Sequence, residues 1–150
     1  MGQTEKNWPL SAVLLAGAGI SVGLIGLYFL QLRPVLLPED IRFMSLPEAQ
    51  LESVRPQMAE WLSLVFQVMG GYVLVTGVLT VTLALTAFRE HNRDAGIGAL
   101  AGGISSIGLM TVVNFSIGSD FKWILLTVGL LWASSLIVFW LERRRMVDLP

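Results

Sequence analysis

Four stretches of the chain, Asn7 to Leu32, Trp61 to Phe88, Ala95 to Ser119 and Trp123 to Leu141, contain no Asp, Glu, Lys or Arg. An α-helix rises about 1.5 Å per residue and a bilayer's hydrocarbon core is about 30 Å thick, so ~20 residues cross it. Each stretch meets or approaches that length. Runs such as Ser11 to Leu30 are apolar or small on every side, whereas the strands of an outer-membrane barrel alternate polar and apolar residues. The expectation is an all-α polytopic membrane protein: a four-transmembrane-helix bundle forming one domain over 1–150, with spans at about 10–32, 61–88, 95–118 and 122–141.

Composition narrows the function. The chain is 54% hydrophobic and 14% charged, against about 25% charged residues in soluble domains, which excludes an ordinary soluble enzyme. A net charge of -1 offers no basic face for nucleic acid, and no nucleic-acid partner is expected. There is no cysteine and a single histidine, His91, so thiol chemistry and haem held by two histidines are excluded, and no metal or other cofactor is expected. With no charged residue inside the spans, a midplane proton relay is also absent.

Ala16-Gly17-Ala18 imitates a signal-peptide cleavage site, but the apolar run continues to Leu32, longer than a signal h-region, and the first span reads as retained. Basic residues favour the cytoplasmic side. The face holding both termini and the middle turn carries Lys6, Arg89, Arg93, Arg143, Arg144 and Arg145; the other carries Arg33, Arg42, Arg55 and Lys122. Both termini are thus expected in the cytoplasm of a multi-pass inner-membrane protein. Arg143-Arg144-Arg145 reads as a headgroup anchor, and Trp8, Trp61, Trp123 and Trp140 as interfacial belts.

Residues 33–60 form the one substantial connection, a short extracytoplasmic helical loop between helices 1 and 2. Ser45 with Glu48 reads as a capping box. Leu51, Val54, Met58, Leu62 and Val65 then recur at helical spacing, so a surface helix should turn into the second span near Arg55-Pro56. The loop is mildly acidic through Glu39, Asp40, Glu48, Glu52 and Glu60. It reads either as a solvated cap or as a lid over an outward-facing cavity. The turns Arg89 to Asp94 and Gly118 to Lys122 are short, making spans two and three, and three and four, antiparallel neighbours.

Lipid tails give helices no hydrophobic reason to associate, so small residues mark the contacts. Expected packing positions are Gly19 and Gly23 in span one, Gly70 and Gly71 in span two, and Gly98, Gly102 and Gly103 in span three. Small residues on two sides of span three predict that it is the most enclosed. Gln67 and Asn114 form a polar layer near the outer ends of the helices. That layer either bonds across the bundle or, with Tyr72, Asp120 and Lys122, bounds a ligand pocket. No catalytic residue is assigned; Glu39 or Asp40 would need burial to act as acid or base. His91 reads as a surface residue.

In layout the chain resembles the small bacterial four-helix inner-membrane proteins of the DoxX-like kind. The features that carry the resemblance are Arg33-Pro34 and Leu37-Pro38-Glu39-Asp40 after span one, Met69-Gly70-Gly71-Tyr72 with Gly77 in span two, and the glycine-rich third span. Some members are similar to subunits of quinone-linked oxidoreductases, but this chain shows no matching catalytic or quinone-binding residues. Two functional readings follow. The first is a non-catalytic accessory or interaction subunit of a membrane complex, whose partners are the lipid bilayer and a membrane protein or a second copy. The alternative is a binder or carrier of a lipophilic small molecule such as a quinone or lipid.

Overall fold

A computed structural model of the protein describes residues 8–45 and 47–147, the side chains of Glu48 and Val147 excepted. The described residues form α1 (Leu10–Gln31), α2 (Pro38–Met44), α3 (Glu48–Leu83), α4 (Arg93–Gly103), α5 (Leu109–Ser116) and α6 (Lys122–Val147). A π-helical turn over Ala84–Phe88 extends α3, and another over Ile104–Gly108 joins α4 to α5 into one span. Four helices are long and apolar enough to cross a membrane. The protein is a four-helix membrane bundle.

The spans are arranged as an open arc in the order α3, α1, α6, α4–α5. On α1, Ala12, Leu15, Ala18 and Val22 recur at helical spacing and are buried. Gly17 faces Leu131 of α6, while Gly19, Gly23 and Gly26 face Gly77, Val81 and Leu74 of α3. At Gly26 and Gly77 the opposing backbone occupies the space that a methyl group would need. Gly70 takes the side chains of Phe29 and Leu30. The glycine face of α1 is therefore used inside the chain, against α3. The second contact is of a different kind: Phe139 fills the space beside Gly96, and Trp132 the space beside Gly103, with the indole Nε1 donating to the carbonyl of Ala99 at 2.9 Å.

Several expectations require correction. Spans two and three are joined by a short turn but meet only at that end, because each is held by a different central helix. The third span is not the most enclosed: no residue of α5 is buried, and the most interior helices are α1 and α6. Gly71 and Gly98 have nothing within 4 Å of the position a Cβ would take, so among the described residues they pack against no helix of this chain, and Gly102 makes only an ordinary contact with Trp132 at 3.9 Å.

Ser45 does not open a helix. It closes α2 in the left-handed conformation (φ 51°), with its N–H on Ile41 and its hydroxyl on the Arg42 carbonyl. The Glu48 half of the expected capping box lies outside the described side chains, as does Lys6 among the charges counted for orientation. No surface helix turns at Pro56, since α3 runs through it. Proline removes an N–H from the helix ladder, and here it does so in an exposed stretch, residues 52–57.

The helix that carries span four continues past Leu141. α6 runs on to Val147, and its last turns are tied to the rest of the bundle. Ser11 donates to Glu142 Oε2 at 2.5 Å, His91 Nε2 lies 3.0 Å from the same oxygen, and Arg143 donates to the His91 carbonyl. His91 is consequently buried and not a surface residue. It is held at φ 56° and stacked on Phe139, which also stacks on Phe88. Asn92 beside it caps α4, accepting from the N–H groups of Asp94 and Ala95.

Candidate functional site

The opening of the arc is the site. Because α3 and α4–α5 part after their shared turn, a cavity of ≈ 1390 Å³ lies between them, with α1 and α6 behind it. Its walls are apolar over most of their depth, from residues such as Leu24, Val68, Met69, Met110, Val113 and Val128. Polar groups sit at the two ends. Ser21, Thr76, Ser105 and Ser106 mark the inner end, near the middle of their spans; Tyr28, Arg33, Glu39, Asp40, Asn114 and Ser119 mark the outer end.

The inner hydroxyls are satisfied locally. Ser105 donates to the carbonyl of Ala101, Ser106 to Gly102, Ser21 to Gly17 and Thr76 to Tyr72. Ser105 and Ser106 lie in the π turn, where the regular i to i−4 ladder is broken, and hydroxyls that bond back to carbonyls of the preceding turn are a common companion of such helix irregularities. The inner end of the cavity is thus lined by polar residues whose hydroxyl protons are already engaged.

The outer end is built by α2. Proline at the first position and acids at the second and third start this short helix, with the Leu37 N–H donating to Asp40 Oδ2 at 2.9 Å. Asp40 also pairs with Arg33 at 3.1 Å. The Arg33 guanidinium lies over the Phe66 ring, 3.7 Å from its centroid, and donates to the carbonyls of Pro34 and Val35. These contacts hold α2 across the outer end of the bundle as a lid, with Leu37, Glu39 and Asp40 lining the cavity.

Glu39 is the unexpected member. It is 2% exposed, and its Oε1 accepts a hydrogen bond from the Ser119 hydroxyl at 3.3 Å. Ser119 is placed by the end of α5: Gly118 adopts φ 68°, its N–H bonds the Phe115 carbonyl and the Ser119 N–H bonds the Asn114 carbonyl. This is a Schellman stop, which turns the chain sharply and satisfies the last carbonyls of the helix. The Ser119 hydroxyl accepts from the Phe121 N–H and so points its own proton at Glu39. A second tie, Arg42 to Asp120 at 3.3 Å, lies outside on the exposed surface.

The five candidate ligand residues separate into two groups. Tyr72 and Asn114 line the cavity. Asn114 donates from Nδ2 to the carbonyl of Met110 on its own helix, leaving Oδ1 with no partner among the described residues. Gln67 is exposed although it shares a face of α3 with Gly70 and Leu74, because Gly70 already meets Leu30 near the end of α1 and Gln67 lies one turn further out; it neither lines the cavity nor bonds Asn114. Asp120 is spent on Arg42, and Lys122 lies behind the turn at the start of α6, so neither lines the cavity. Glu39, Ser119 and Arg33 replace them. Pro38 followed by two acids was a readable helix start, but burial of Glu39 depends on a partner 80 residues away, which no local pattern carries.

Among the described residues no cluster of His, Asp or Glu has metal-ligating geometry. Comparison with protein-family models, with curated proteins and with solved structures finds no match.

Proposed function

We propose that this protein binds a lipophilic amphiphile between its second and third spans. The observation that carries the reading is the cavity itself: apolar over most of its depth, capped by α2 and charged at its outer rim. This cleft is open between the helices, and its ≈ 1390 Å³ is ample beside the roughly 300–1,000 Å³ of a typical small-molecule site. From Ser105 to Ile117 the wall extends ~18 Å along the helix, comparable to half of a hydrocarbon core about 30 Å thick. A chain lying in one leaflet fits that depth. With the termini in the cytoplasm of an inner membrane, as the Lys and Arg distribution and the DoxX-like layout suggest, this is the outer leaflet.

Native mass spectrometry of the chain extracted gently from its own membrane, with lipids and quinones retained, tests the proposal. One lipophilic molecule per chain is expected on the wild type and is expected to be lost when Val113→Trp narrows the wall. A chain that carries nothing, or a bound molecule indifferent to that substitution, would overturn it.

The interaction-subunit reading has its own support in Gly71 and Gly98, small residues with open space before them where another helix could approach closely. Under that reading a second protein is retained at fixed stoichiometry, and Gly98→Leu releases it while leaving bound lipid unchanged.

A further inference from the structure

We infer that the amphiphile is a membrane lipid with a primary-amine headgroup, and that Glu39 is the residue that recognises it. The inference rests on the lipid-binding reading of the cavity and adds the chemistry of the head.

Of the three charged residues that line the cavity, Arg33, Glu39 and Asp40, two are paired with one another. Arg33 is committed to Asp40 and to two backbone carbonyls, and Arg42 to Asp120. Glu39 has no cationic partner among the described residues, although it is 2% exposed and lines the cavity. Its hydrogen bond from Ser119 is long, at 3.3 Å, and engages Oε1 alone. A carboxylate withdrawn from water is costly unless a charge or several donors compensate it. An ammonium group supplies both, since it brings a positive charge and three N–H donors. A quaternary ammonium supplies the charge without a donor, and an anionic head would face Glu39 and Asp40 with like charge.

The remaining geometry follows a lipid's own order. Tyr28 also lines the outer part of the cavity, and its hydroxyl has no hydrogen-bond partner among the described residues, so it is a donor open to a polar head. Apolar wall then continues to Ser21 and Ser105, where an acyl chain ends.

The test uses the full chain reconstituted in vesicles of equimolar phosphatidylethanolamine, its N-trimethylated counterpart phosphatidylcholine, and phosphatidylglycerol, all with matched acyl chains. Lipids that stay with the protein after extraction are identified and counted. The expected result is about one retained lipid per chain, with phosphatidylethanolamine enriched at least tenfold over both others. Glu39→Gln is expected to bring the enrichment close to one while the number of retained lipids stays the same. If Glu39→Gln does not fold, Glu39→Asp, which keeps a carboxylate but draws it back by one methylene, should lower the enrichment several-fold, and an unchanged enrichment would overturn the inference. Glu60→Gln, an exposed acid away from the cavity, should change nothing. Retained lipid with no head preference, or a preference that survives Glu39→Gln, overturns the inference and leaves the cavity reading standing. No retained lipid of any kind overturns both.

Discussion

The backbone of Leu74 in α3 lies against Gly26 of α1 so closely that a methyl group would not fit between them. Gly77 makes the reciprocal approach to Gly23 three residues further along α3. Together they press α3 onto one side of α1, draw it away from the third span and so open the cavity. A packing detail thereby shapes the proposed binding site.

Substituting Gly26→Leu must push two helix backbones apart and is expected to destabilise the protein by about 1–3 kcal/mol or more, the range for overpacked cores. Gly98→Ala, with open space before it, should stay within about 0.5 kcal/mol of wild type. Denaturant titration of the two variants in the same detergent, followed by circular dichroism, makes the comparison. Equal midpoints would mean that the α1–α3 contact is not as close as described.

On the other side of the arc, Trp132→Phe keeps most of the ring volume but removes the bond from Nε1 to the Ala99 carbonyl. Interhelical hydrogen bonds in membranes are worth about 0.6–1.7 kcal/mol, and a loss in that range is expected. Gly103→Ala, where Trp132 occupies the space of the added methyl, should exceed it. The order of the two thermal midpoints checks the assignment.

Ser11, His91 and Glu142 meet at the end of the bundle that carries both termini, through one carboxylate oxygen. Groups that share a network couple by about 0.5–3 kcal/mol in double-mutant cycles. Ser11→Ala and Glu142→Gln should each destabilise, and the pair should destabilise by less than the sum. Strict additivity would show that Ser11 and Glu142 do not act on one another.

Gly118→Ala places a Cβ on a left-handed residue, at a cost of about 1–2 kcal/mol. Since this turn aims Ser119 at Glu39, the variant is expected to loosen the outer end selectively. Hydrogen exchange of residues 38–44 should rise while that of α1 remains slow. A uniform change across all helices would argue that α2 is not anchored through this turn.

The four spans could be read from the chain alone because membrane insertion is a local property: length and hydropathy decide it, and each helix satisfies its own backbone. The importance of Gly19, Gly23, Gly70 and Gly103 was legible for a related reason, since close approach requires small residues whatever the partner. Which glycines meet which helix was not legible. Gly71 and Gly98 look equivalent in sequence to Gly70 and Gly96, and only the rotation of each helix against its neighbours turns one outward and the other inward. Nor could the sequence show that α1 ends level with Gly70, which leaves Gln67 exposed one turn beyond it, while Asn114 stays on the cavity wall.

Hydropathy also says nothing about separation between helices that are consecutive in sequence. Spans two and three share a short turn, yet they diverge because Gly26 and Gly77 hold one to α1 while Phe139 and Trp132 hold the other to α6. Burial of Glu39 and His91 depends in the same way on Ser119 and Glu142, far away along the chain. Local sequence determined that this chain enters a membrane four times. Tertiary structure alone decided that the bundle is open on one side and that a carboxylate is buried at the opening, because both follow from contacts between residues that are distant in the chain.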